Sequence, residues 1–284
     1  MAFWPFVLIL LYLNTPAASP PPDDAVTYSR RVWRSVDGLP EDFAQSVAQT
    51  PDGYVWIGTS AGLVRFDGAR FVVFSRENAP ALADDSIYCL LVSRDGTLWA
   101  GTEGGGLVRY KNGLFRSYGE SDGLTNAFVR VIFEDKNGTI WVGTDAGLFQ
   151  LRAETLTRID GRGSTPQMNV HAICETRDGR LLVGGWGLLV LNGNRSDYYS
   201  SSESLADNSI RTMCQTADGA IWIGTVSGLR KIETGVGGNP FTVRKTLSGI
   251  NISVLLESRR AQLWIATYGQ GLFRYEKGRI VSFS

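Results

Sequence analysis

The sequence predicts an all-β fold assembled from six copies of one unit, and three observations carry that prediction. A tryptophan-centred segment recurs about every 42 residues along the chain. Glycine is abundant, at 33 residues, beside 8 tryptophans. The apolar stretches are short and are separated by Asp-Gly or Asn-Gly pairs, which turn a β-hairpin tightly because glycine takes positive φ without steric cost.

The copies align as QTPDGYVWIGTSAGLVRFDG, VSRDGTLWAGTEGGGLVRYKNG, EDKNGTIWVGTDAGLFQL, ETRDGRLLVGGWGLLVLNG, QTADGAIWIGTVSGLRKI and ESRRAQLWIATYGQGLFRYEKG. Their anchors are Trp56, Trp99, Trp141, Leu182, Trp222 and Trp264, with successive steps of 43, 42, 41, 40 and 42. Each copy reads as an apolar strand, the Asp-Gly turn, a β-rich strand ending Gly-Thr, a loop, and a third strand opened by Gly-Leu. The turn pairs are Asp52-Gly53, Asp95-Gly96, Asn137-Gly138, Asp178-Gly179 and Asp218-Gly219, and in the sixth copy Arg259-Arg260 stands in their place. A fourth strand, such as residues 70–74 or 114–118, closes each copy before a longer loop.

Four antiparallel strands per repeat make a blade of a β-propeller. A sheet with apolar residues on both faces needs neighbours on both sides, so the blades curve into a ring and the anchor tryptophans pack between them. Residues 28–36 read as a fourth strand that lacks its first three, whereas the last copy has its own fourth strand at 279–283. The expectation is therefore six complete blades plus an orphan N-terminal strand, in a seven-bladed ring of which this chain is a fragment. A six-bladed ring with a displaced N-terminal strand is the alternative. The propeller is assigned to 28–284.

Residues 1–19 carry no charge, contain an apolar run over 3–13 and end in small residues, as a secretory signal does. A membrane anchor needs roughly 20 apolar residues, about twice what is present. Residues 20–27 form a short lead-in expected to be disordered. Lysine plus arginine equal aspartate plus glutamate at 28 each, so no net field attracts nucleic acid or an anionic membrane surface. The three cysteines, Cys89, Cys174 and Cys214, are an odd number and read as small buried hydrophobes rather than a disulfide framework.

The segment DGYVWIGTSAGLVRFDG, with DGLP at 37–40 and DGLT at 122–125, resembles the two-component regulator propeller repeat. The resemblance covers about 28–284. It implies the periplasmic sensor of a hybrid two-component histidine kinase or a diguanylate cyclase, often built of two seven-bladed propellers followed by further domains. Here no membrane span, kinase or cyclase segment or Ig-like domain follows, so the output half is expected elsewhere and this chain is not expected to be an enzyme. A homodimer formed through the sensor, with a membrane link only through downstream segments, completes the expectation.

Strand direction locates a ligand site. The start of each innermost strand, the loop after Gly-Thr and the interblade loop lie on one face, at the channel mouth. Eleven residues before each anchor stand Gln45, Tyr88, Arg130, His171, Arg211 and Ser253, and the loops after the second strands add Glu103, Asp145, Trp186 and Tyr268. Aromatic rings beside arginine and carboxylate suit a small polar ligand or an oligosaccharide, which needs stacking faces and directional hydrogen bonds. His171, the only histidine, reads first as a polar residue at a strand end, with a ligand contact or general base as the alternative. No converging His and carboxylate set announces a metal, and no cofactor is expected. The glycine-rich segment 101–107 joins two strands rather than opening a helix, so it is a turn and not a phosphate loop. Two other function classes remain: a carbohydrate-active propeller enzyme, for which SRDGTLW at 93–99 is a faint Asp-box with the wrong spacing, and a protein-binding scaffold.

Overall fold

The computed structural model describes residues 31–159, 168–193, 195–200, 209–234 and 241–283. The expected secretory leader (1–19), the lead-in (20–27) and the first three residues of the expected orphan strand lie outside the described residues. Twenty-four strands form six four-stranded antiparallel sheets, each paired in chain order. Blade one comprises β1 (Ser46–Gln49), β2 (Val55–Thr59), β3 (Gly62–Phe66) and β4 (Phe71–Phe74). Blade two comprises β5 (Ile87–Val92), β6 (Leu98–Thr102), β7 (Leu107–Lys111) and β8 (Leu114–Tyr118). Blade three comprises β9 (Val129–Glu134), β10 (Ile140–Thr144), β11 (Gly147–Arg152) and β12 (Thr155–Arg158). Blade four comprises β13 (Ala172–Glu175), β14 (Leu181–Gly184), β15 (Gly187–Asn192) and β16 (Arg195–Ser200). Blade five comprises β17 (Ile210–Gln215), β18 (Ile221–Thr225), β19 (Gly228–Thr234) and β20 (Phe241–Ser248). Blade six comprises β21 (Ile252–Glu257), β22 (Leu263–Thr267), β23 (Leu272–Glu276) and β24 (Arg279–Phe283).

The core lies between blades rather than within them. Trp56 packs on Ile87, Leu98 and Val108 of the next blade, Trp99 on Val129, Ile132 and Val142, and Trp141 on Val170, Ile173 and Val183. Leu182 and Trp222 repeat the contact on Ile210 and Ile223, and on Ile252 and Ile265. Each buried indole removes roughly 150–250 Å² from water, on the order of 4–6 kcal/mol at about 25 cal/mol per Å². Its N–H is satisfied by the residue that opens the turn: Thr50 at 3.0 Å, Ser93 at 3.2 Å, Asp135 at 2.9 Å and Thr216 at 3.2 Å. Burying the ring therefore strands no donor.

The glycine two residues after the anchor is required by the same packing. A Cβ on Gly101 would meet Cys89 Sγ at 2.5 Å and Val129 at 2.6 Å, and one on Gly224 would meet Ile252 at 2.5 Å. The following threonine is buried and donates across its loop, as Thr59 does to the Gly62 carbonyl at 2.8 Å. All three cysteines are free thiols. Burial raises the Cys89 thiol pKa to about 12 and that of Cys174 to about 11.

Two expectations are corrected. Over the described part of 28–36 no strand forms: 31–34 has no regular structure and Ser35–Asp37 is a 3-10 turn, with Asp37 accepting the Arg34 N–H at 2.8 Å. Trp33 instead lies edge-on against Phe66, 5.3 Å between centroids, covering the outer flank of blade one. In the sixth blade the pair that replaces Asp-Gly is Arg260-Ala261, one residue later than expected. The Ala261 N–H bonds to the Ser258 carbonyl at 3.0 Å, and Ala261 itself takes φ 57°, the conformation that glycine holds in the other turns. Among the described residues, no helix is long and apolar enough to cross a membrane.

Candidate functional site at the channel mouth

The ends of the blades that were expected to share one face do so. The Glu103 N–H bonds to the Ser86 carbonyl (3.1 Å), the Ile210 N–H to Gly185 (2.8 Å) and the Tyr268 N–H to Asn251 (2.8 Å). Each loop after a second strand is thereby tied to the start of an innermost strand. The register shifts at Tyr88, Arg130, Arg211 and Ser253, each being the extra residue of a β-bulge against the second strand. A bulge adds one residue opposite its partner and re-aims that side chain, so four of the six expected mouth residues leave the pleat of their sheet. Gln45 and His171 stand immediately before β1 and β13, each donating its N–H to the second strand.

Part of the expected set converges. Arg130 pairs with Asp145 through two parallel hydrogen bonds, the Nη2–Oδ2 one at 3.0 Å, in a bidentate geometry that fixes the guanidinium plane. The guanidinium lies over the Phe128 ring at 4.1 Å and the Tyr88 ring at 5.7 Å. Those two rings meet edge to face, 5.2 Å apart. Burial opposes the Arg130 charge, but the hydrogen bonds and charge of Asp145, with Tyr88, outweigh it and hold its pKa above the ordinary arginine value.

His171 joins this cluster electrostatically. Its pKa falls from 6.5 to about 4, first because burial disfavours the imidazolium and then because Arg130 and Arg211 repel it, against a weaker pull from Asp145. The imidazole is neutral near pH 7 and offers one donor and one acceptor nitrogen. Blades two and three thus contribute Tyr88, Phe128, Arg130 and Asp145 to one cluster at the rim, and His171 of blade four feels the charges of Arg130 and of Arg211 in blade five. Gln45, Ser253, Glu103, Trp186 and Tyr268 sit at equivalent ends of their blades without being drawn into it, and Glu103, Trp186 and Tyr268 are exposed.

Phe128 was missed because it precedes its strand at a repeat position that holds Ser86, Ser209 and Asn251 in other blades. The Asn126 side chain, which accepts the Phe128 N–H at 3.1 Å, marks a turn there and is the one available signal. The arrangement supplies stacking faces, a fixed Arg–carboxylate fork and a neutral imidazole, the equipment of a polar, uncharged guest. Among the described residues, no group of three or more His, Cys, Asp or Glu is placed to hold a metal ion.

These blades define the class, an all-β propeller of four-stranded antiparallel blades. Five segments, residues 38–61, 81–104, 123–146, 164–187 and 204–227, match the two component regulator propeller repeat, so the chain carries five of these repeats. No curated protein matches the sequence. Among solved structures, the extracellular domain of the putative hybrid two component system BT3049 from B. thetaiotaomicron superposes with a TM-score of 0.70 at 22% identity, over 87% of this chain and 35% of that one. Virginiamycin B lyase from Staphylococcus aureus superposes at 0.66 with 14% identity, over 84% and 83% of the two chains. PorZ, a bacterial surface component of the type-IX secretion system of Porphyromonas gingivalis, gives 0.66 at 16% identity, over 87% and 42%. The chain therefore spans about a third of the length of the two component system domain it resembles. At these identities the likeness is one of fold.

Proposed function

We propose that this chain is the ligand-sensing propeller of an exported two-component-type receptor, acting in the periplasm, with residues 1–19 as its secretory leader. A small polar ligand or an oligosaccharide seats at the channel mouth on Tyr88, Phe128, Arg130, Asp145, His171 and Arg211. The observation that carries this reading is the packing of Tyr88, Phe128, Arg130 and Asp145 from two consecutive blades into one Arg–carboxylate fork with stacking faces, with His171 of the next blade feeling the Arg130 charge. A guest bridging several blades would change how they sit on one another, and a dimer formed through the propeller would relay that change. We further read the uncovered flank of blade six as the seat of a seventh blade.

The test is a thermal-shift screen of the 20–284 segment against mono- and oligosaccharides, since a ligand that binds only the folded state raises Tm. A hit whose shift disappears in Arg130→Ala and Arg211→Ala supports the mouth as the site. A shift unchanged by both substitutions removes it. Incubated with labelled ATP, the chain should not autophosphorylate, because phosphotransfer belongs to other segments of such receptors.

A second reading, a propeller enzyme acting on carbohydrate, is favoured by one observation: the fold is shared with virginiamycin B lyase over 84% of this chain and 83% of that one, although a His171 pKa near 4 makes that imidazole a weak base. Product released from a glycan panel, and lost in His171→Ala, would establish it.

A further inference from the structure

Three repeat positions surround each junction tryptophan, and between blades three and four all three are neither basic nor aromatic, whereas Trp99 (Arg109, Tyr118, Leu151) and Trp222 (Lys231, Leu247, Tyr275) each keep two that are. In blades one, five and six the residue cross-strand from the tryptophan is basic and lies over the ring: Arg65 at 5.9 Å, Lys231 at 5.8 Å and Arg274 at 6.0 Å. In blade three that position is Gln150, cross-strand from Trp141. The last residue of the fourth strand is aromatic beside Trp56 (Phe74, 5.8 Å), Trp99 (Tyr118, 6.0 Å) and Trp264 (Phe283, 5.2 Å). Beside Trp141 it is Ile159, placed there by its N–H bond to Leu148 at 2.8 Å. The next blade adds Tyr110 against Trp56 and Tyr275 against Trp222, both at 4.8 Å, but against Trp141 it adds Leu191.

These three shorter side chains leave a cavity of about 460 Å³ lined by Gln150, Ile159 and Leu191 together with Trp141 itself. The volume falls within the roughly 300–1,000 Å³ of small-molecule sites. Trp141 is partly exposed, whereas Trp56, Trp99 and Trp222 are 1%, 6% and 3% exposed. Its ring is held in place by the bond to Asp135, so the indole presents a fixed face. The lining carries charged and polar groups of both signs: Lys136, Arg152 and Arg195, the carboxylates of Asp135 and Glu175, and the nearly buried Gln150 amide.

From this we infer that the groove over Trp141 is a second binding site, for a neutral saccharide. A pyranose ring has one face of C–H groups that packs on an indole and an edge of hydroxyls that both donate and accept. Mixed carboxylate, guanidinium and amide partners serve such an edge, whereas a ligand of one charge sign would meet like charges on part of the wall. The groove opens at the turn end of β9, beyond Asp135, while Arg130 and the mouth cluster lie at its other end. Five residues of strand separate the two, about 16 Å at roughly 3.3 Å per residue. This site is independent of the one proposed at the mouth.

The experiment refills the groove. Gln150→Arg and Leu191→Tyr each restore the residue type found at the corresponding position of another blade, and Arg195→Ala removes an exposed contact without touching the core. Binding of cellobiose, maltose, lactose and diacetylchitobiose to the full chain is followed by calorimetry, with Tm measured in parallel. The expectation is saturable binding of at least one disaccharide, weakened more than about tenfold in the filled variants at an unchanged or higher Tm, and several-fold in Arg195→Ala. Failure of all four sugars to bind, or binding indifferent to all three substitutions, overturns the proposal. A sugar lost in Arg130→Ala and retained in the filled variants assigns binding to the mouth and removes the groove.

Discussion

Five blades press their forward face onto a successor, and among the described residues the sixth does not. The innermost strands touch in series, β1 to β5, β9, β13, β17 and β21, and no comparable contact returns from β21 to β1. Leu256, at the register of Cys174 and Cys214, is 55% exposed where Cys174 is 8%. Val254, Val281 and Phe283 are exposed beside it. The residue two after the anchor differs as well: glycine in the first five blades, Ala266 in the sixth. Where a β-branched residue of the next blade closes to about 2.5 Å of a would-be Cβ, only glycine fits; where nothing closes, alanine is admitted. The repeat consensus is therefore a record of contact between blades more than of strand formation within one.

The largest effect separates the tryptophans. Trp222→Ala should cost about 3–5 kcal/mol, as deleting a buried aromatic does, and Trp264→Ala less than about half of that, measured by denaturant unfolding. Equal losses would mean that the sixth forward face is covered. Next come the glycines. Gly224→Ala should cost about 1–3 kcal/mol by overpacking against Ile252 and Thr212, while Ala266→Gly costs only about 0.5–1 kcal/mol of strand entropy. If Gly224→Ala melts with the unsubstituted chain, the packing argument fails.

The smallest effect concerns a latch between blades. The backbone N–H that follows the first turn residue is accepted by a side chain of the next blade: Arg94 by Glu134 (2.8 Å), Lys136 by Glu175 (2.7 Å), Arg177 by Gln215 (2.8 Å) and Ala217 by Glu257 (2.8 Å). At the first junction the turn carries Pro51, which has no N–H, and Val92 stands where the acceptor would be. Donor and acceptor are lost together, which strands neither. Gln49 bonds the carbonyl of its own turn at Gly53, as Gln215 bonds Gly219, but among the described residues no preceding turn donates to it. Glu257→Ala should cost about 1 kcal/mol and Gln49→Ala close to nothing. A larger loss at Gln49 would show that a preceding turn does reach it.

Much of this was legible in the sequence. The anchors, their spacing and the Asp-Gly turns place every blade, because each blade repeats one packing problem. The failures fall where that repetition lapses. Residues 31–34, Arg-Val-Trp-Arg, hold two residues that favour strands, yet Trp33 packs its ring on Phe66 without a strand beside it. The bulges at Tyr88, Arg130, Arg211 and Ser253 leave no mark in composition, so the mouth residues were placed by count while their orientation was not. The groove over Trp141 depends on three residues far apart in the chain, each unremarkable alone and informative only against the same position in another blade.

The account rests on the rim side chains being gathered as described, and the only histidine reports on that directly. His171 gives a single imidazole resonance, so its titration by NMR needs no assignment. A pKa near 4 is expected, with stability falling as pH drops from 6.5 toward 4, because the unfolded chain takes up a proton there that the folded one refuses. In Arg130→Ala the value should move back toward 6.5. A wild-type pKa near 6.5, unmoved by that substitution, would mean that Arg130 and Arg211 do not face His171 and that the mouth cluster does not exist.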